Sequence, residues 1–325
     1  MQSVKAGRRL LAFAKGHPRL VVGVQLVVLA AFFVSIGVAL RGSFRDASDD
    51  LRNADPAYFV LGCAVLALYY LVFVFGWIRI LADWNLRISY PAALRAEMVS
   101  MLAKYVPGGV WTPAARVVAA RRAGINDAAL VTVSILVEAG ISAVAGVIVF
   151  VVSLAWVRGV DAPLAPLIAF AVVVGALLHP RIFCPLASRI LRKLGHRSLP
   201  PLRTSTMVFL LVFYCGTWVI GGGALWLLLR SVHAHPSVAS IVFLGGVAAV
   251  GAIVAVLAVF APSGLGPREA SMYGLLLAIS GEGAALSATV LNRVAITLVE
   301  ILLLVVGGLV LRHADEEPAV QPIEG

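Results

Sequence analysis

The sequence predicts an all-α fold: a polytopic transmembrane helical bundle of about seven full spans plus two re-entrant or broken helices. Three observations carry this. The mean hydropathy is +0.99 and only 13% of the 325 residues are charged, which leaves too little polar surface to cover a water-soluble globule. Apolar runs of about 20 residues recur along the chain, long enough to cross ~30 Å of hydrocarbon as helices. Lipid offers the backbone no hydrogen bonds, so those runs must pair internally. Finally, two apolar stretches are each interrupted by a cluster of Pro and Gly, "KYVPGGVWTPAAR" from Lys104 and "APSGLGPREA" from Ala261.

The elements follow in order. Residues 1–19 form a basic tail with Lys5, Arg8, Arg9, Lys15 and Arg19. Leu20 to Leu40 is the first span, because its 21 residues exceed a signal-peptide core and no convincing A-x-A site follows. Further spans are expected at Tyr58–Leu81, Asp127–Val157, Pro163–Leu178, Thr206–Leu229, Val238–Phe260 and Ser287–Leu311. Ala92–Ala120 and Ala261–Ile279 are the two interrupted segments. A single membrane domain thus occupies 20–311, and 312–325 is a short polar tail.

Basic residues in short loops set the orientation. The N-terminal tail is expected in the cytoplasm. So is the stretch His179–Arg203, which holds six Lys and Arg and no acid. Both agree only if the Lys104 segment enters and leaves by the same face. Spacing leaves the side of the C-terminus open.

The net charge of +10 follows this topology and forms no continuous basic face, so nucleic acid is not an expected partner. Cys63, Cys184 and Cys215 form no CxxC pair and are read as packing residues; the six histidines form no ligand motif. No metal, cofactor or nucleotide-binding loop is indicated.

Ionisable groups within apolar segments cost at least ~2.5 kcal/mol at the bilayer centre and persist where they pair or work. They are Lys104, Arg116, Glu138, Arg268, Glu269, Arg293 and Glu300. Arg293 and Glu300, seven apart, share a helix face and are expected to be neutralised within the bundle. Glu138 needs a base from another helix, with Arg116 or Arg268 as candidates. A helix restarting after a Pro-Gly break presents free N–H groups to an anion, and in a membrane the obvious anion is a lipid phosphate. Lys104, Arg116 and Arg268 are its expected holders, with Glu138 or Glu269 as counter-ion in the empty state. Trp111 is read as an interfacial anchor or a lining residue, and Trp77, Trp84 and Tyr105 as interfacial anchors.

The two interrupted segments resemble the signature stretches of the lysylphosphatidylglycerol synthase transmembrane-region family, the flippase-like domain proteins. Lys104, Pro107, Gly108, Gly109 and Arg116 match its first motif, and Gly264, Gly266, Arg268 and Glu269 its second. The resemblance implies an integral protein of a bacterial-type plasma (inner) membrane that moves lipid between leaflets. It implies as partners an anionic or aminoacylated phospholipid, or a polyprenyl-linked glycolipid, with a glycosyltransferase partner for some members. The chain departs from the family's synthases in that no soluble transferase portion follows the last span, so synthesis of the lipid is not expected of it. The alternatives left open are a membrane-embedded enzyme acting on a lipid phosphate and a non-catalytic scaffold for glycolipid assembly.

Overall fold

A computed structural model describes residues 43–104, 111–155, 157, 160, 164–193, 201–258 and 261–310. The expected first span at 20–40 lies outside these residues, as do both tails and Pro107, Gly108 and Gly109. The described residues form eleven α-helices and one 3₁₀ turn: α1 (Ser43–Arg52), α2 (Pro56–Asp83), α3 (Tyr90–Ala103), α4 (Trp111–Arg122), α5 (Ala128–Ser153), α6 (Leu164–Leu178), α7 (Pro180–Lys193), α8 (Thr204–Ser231), α9 (Ser240–Leu257), the 3₁₀ turn Pro262–Gly264, α10 (Pro267–Leu276) and α11 (Glu282–Val310).

Among the described residues, five helices are long and apolar enough to cross a membrane: α2, α5, α8, α9 and α11. A sixth crossing arises only if α6 and α7, bent by 67° at their junction, count together. The seven spans of the sequence reading are therefore not all present among the described residues. α6 alone has 15 residues, about 22 Å of helix, short of the hydrocarbon thickness. α7 corrects the reading of His179–Arg203 as a plain loop, since much of it is a helix with charged and apolar residues on different sides, the pattern of a segment lying along an interface. α1 likewise forms a short polar helix within the Arg41–Ala57 connection and packs on α11.

Local chemistry sets the helix starts. Pro56 occupies the first turn of α2, and the Asp55 carboxylate accepts from the Ala57 N–H at 2.8 Å. Asp127 caps α5 by accepting from Ala129 and Leu130 N–H at 3.1 and 3.0 Å. Each cap fills donors that a helix start leaves unpaired.

The centre is α8, which packs against α2, α5, α9 and α11. Small residues permit the close approach: a Cβ on Gly222 would meet the Gly245 backbone nitrogen at 2.5 Å, and one on Gly245 would meet the Trp218 carbonyl at the same distance. Such contacts hold helices together in lipid, where apolar burial gives little driving force between them. Outward faces remain apolar, as at Val212 and Val256, which are 67% and 77% exposed. That inversion matches a lipid-facing perimeter.

Candidate functional site

Helix α2 supplies an aromatic rail of Tyr69, Tyr70 and Trp77, and two clusters of charge, one buried and one part-buried, assemble along it. The first surrounds Arg116. Helices α3 and α4 are 14 and 12 residues long, about 21 and 18 Å, each too short to cross alone. They lie side by side with the chain reversed, so that Arg116 of α4 faces Glu97 and Ser100 of α3. The guanidinium pairs with Glu97 and with Glu138 of α5, lies 5.1 Å from the Trp77 ring centroid and approaches Ser100 Oγ at 3.4 Å. Tyr214 of α8 donates to Glu138 Oε1 at 3.1 Å, and Trp77 donates to Ser134 at 2.8 Å. Arg116, Glu97 and Glu138 are all almost fully buried.

Of the two bases considered for Glu138, the structure gives it Arg116. It also places Trp77 in the interior, 0% exposed, where it covers a cation and does not anchor an interface. Trp84 is buried as well. Trp111 is half exposed at the first turn of α4.

The second cluster lies where the two interrupted segments meet. The Ser263 N–H donates to the Lys104 carbonyl at 3.0 Å, joining the end of α3 to the turn before α10. That turn is irregular: Ser263, Gly264 and Gly266 have φ of 53°, 65° and 94°. Glycine suits the last two because it carries no Cβ to clash at positive φ. At Gly264 a Cβ would also lie 2.6 Å from the Ala255 Cα. Glu269 reaches back to accept from the Gly266 N–H at 2.7 Å and receives Arg293 Nη1 at 3.4 Å. Arg293 also donates to the Ser263 carbonyl at 3.3 Å.

Lys104 pairs with Glu300 of α11, which accepts from Tyr70 at 2.7 Å. Arg293 and Glu300 do share one face of α11, yet each neutralises a different interrupted segment. Arg268, on the first turn of α10, lies against Gly251 of α9 and within electrostatic reach of Tyr69, Tyr70 and Lys104. Its Nε is shielded from solvent and has no hydrogen-bond partner among the described residues. A shielded donor with nothing to donate to is costly.

The structure thus divides the predicted residues. Lys104, Gly264, Gly266, Arg268 and Glu269 come together at the joined segments, with Arg293 and Glu300. Arg116 and Glu138 form the neighbouring cluster, and Lys104 lies within electrostatic reach of its Glu97. Glu97 and Tyr70 belong to these networks and were not singled out from sequence. Glu97 did carry a signal, since it lies on α3 seven residues before Lys104, which directly follows that helix, about two helical turns along.

These features define a polytopic helical membrane protein with two interrupted segments joined around a part-buried set of paired charges and, among the described residues, an under-satisfied arginine. The model of the lysylphosphatidylglycerol synthase TM region matches residues 20–305, and the chain belongs to that family. No curated protein matches the chain.

Proposed function

We propose that the protein is a flippase-like lipid translocase that binds the phosphate of a membrane phospholipid or lipid-linked precursor at the joined segments. One observation carries the reading: Arg268 holds a shielded, unpartnered Nε on the first turn of α10. A guanidinium matches phosphate oxygens through a planar fork of donors, and a helix start favours an anion. Lys104, 26% exposed at its side chain, supplies a second cation that can turn from Glu300 to the ligand. Arg116, held between two carboxylates, would support the site by fixing α3 and α4.

Membership of the family supports membrane lipid handling, and the two interrupted segments fit the place where transporters build their sites. A headgroup would pass between the segments while its chains stay in lipid. Glu269 is engaged by the Gly266 N–H and by Arg293. That engagement weighs against a role as general base in phosphate chemistry, which requires a carboxylate free to take a proton.

The test is translocation in liposomes with fluorescent anionic, zwitterionic and aminoacylated phospholipids, read as label accessible to dithionite. Wild type should expose inner-leaflet label for at least one lipid, and Arg268→Ala should not, at equal insertion. Equal rates in both proteins would overturn the assignment of Arg268.

A further inference from the structure

A cavity of about 560 Å³ lies on the outer side of the α3–α4 pair, away from the Arg116 cluster. Pockets of a few hundred Å³ are ligand-sized. Its walls are chiefly small apolar side chains, among them Ala92 and Ala103 of α3 and Ala114 of α4, with Trp111, Arg95 and Arg122 also lining it. Because the two helices run in opposite directions, Arg95 near the start of α3 and Arg122 at the end of α4 fall at one end. Ala103 and Trp111 fall at the other. The groove is therefore apolar along its length, basic at one end and aromatic at the far end.

Its length suits one acyl chain. Ala92 to Ala103 is an eleven-residue rise, about 16 Å of helix, which is close to half of the ~30 Å hydrocarbon thickness. One acyl chain of a single leaflet would lie along the alanines with its headgroup at the arginines. Arg122 is exposed, as is Arg121 beside it, and the basic end would face the leaflet that the positive-inside rule assigns to the cytoplasm.

We infer that the α3–α4 groove is a docking site for an anionic phospholipid, one chain against the alanines and its phosphate between Arg95 and Arg122. It is separate from the Arg268 site and does not depend on translocation. The small side chains leave room for the chain, and the two guanidinium groups select the charge.

Trp111 is half exposed at the groove's end and reports occupancy by its fluorescence. The full chain is placed in phosphatidylcholine nanodiscs carrying a minor fraction of either chain-brominated phosphatidylglycerol or chain-brominated phosphatidylcholine. The Trp111 signal is the difference between wild type and Trp111→Phe. Brominated phosphatidylglycerol should quench it at about tenfold lower mole fraction than brominated phosphatidylcholine, a preference of ~1.4 kcal/mol. Arg122→Gln should remove the preference while leaving thermal unfolding unchanged, and Ala114→Phe at an exposed groove position should weaken quenching by both lipids. Equal quenching by the two lipids in wild type would mean ordinary boundary lipid and overturn the proposal. Absence of quenching by either would mean that another part of the chain or a second copy covers the groove, and would overturn it too.

Discussion

Replacing Arg116 by Ala would leave Glu97 and Glu138 buried together with no base between them. Removing one partner of a buried ion pair costs ~3–5 kcal/mol, because the other charge is stranded, and here two charges are stranded. The contact with Trp77 is lost as well. Glu138→Gln removes much less: Arg116 keeps Glu97, and the amide oxygen still accepts from Tyr214. One charge-assisted hydrogen bond becomes a neutral one, a loss of ~1 kcal/mol. Glu97→Gln should behave like Glu138→Gln, whereas the double variant leaves the arginine without a carboxylate and should approach Arg116→Ala. The assay is reversible unfolding of purified protein in mixed micelles of dodecyl maltoside titrated with SDS. Arg116→Ala within ~1 kcal/mol of wild type, or equal in cost to Glu138→Gln, would refute the claim that one cation holds these two carboxylates.

Lys104 and Glu300 should couple in the same assay: Lys104→Met removes the cation paired with the Glu300 carboxylate, so the double variant Lys104→Met/Glu300→Gln should be more stable than Lys104→Met alone, and strict additivity would contradict the pairing. Gly264→Ala should destabilise by at least ~1–3 kcal/mol through its positive φ and its contact with Ala255. Gly274→Ala, where an added Cβ meets nothing within 4 Å, should be neutral to slightly stabilising as a Gly-to-Ala change in a helix; similar losses at both positions would contradict the close approach. In the translocation assay Arg268→Lys should retain part of the activity that Arg268→Ala loses, since the charge remains but the fork does not. Full activity in the lysine variant would mean that only charge matters there.

The all-helical class was legible because hydropathy alone demands it, and five of the expected spans reappear as long helices. Partner choice was much less legible. Spacing places Arg293 and Glu300 on one face of α11, but whether they meet each other or reach Glu269 and Lys104 depends on which helices pack there, and this is tertiary information. Glu138 shows the same limit: its need for a base follows from the apolar sequence around it, while the second carboxylate on that base, Glu97, sits in the mixed stretch "LRAEMVSM" that does not look buried until α3 is packed. Trp77 and Trp84 lie near the polar end of α2, where interfacial anchors are common. Their rings turn inward because α2 is enclosed there by other helices. Leu164–Leu178 has the composition of a span and ends where the sequence places it, but its 15 residues stop at a sharp bend before Pro180.

The most direct test of the central claim is a distance measurement between the Arg268 guanidinium and lipid phosphorus. Rotational-echo double-resonance NMR on the arginine-¹⁵N-labelled protein in phospholipid bilayers reads ¹⁵N–³¹P proximity, and the difference between wild type and Arg268→Ala isolates this residue from arginines at the headgroups. The account predicts a ³¹P-dephased guanidinium component in wild type that disappears in Arg268→Ala and persists in Arg122→Gln. Identical dephasing in wild type and Arg268→Ala, for the lipid that is translocated, would contradict it.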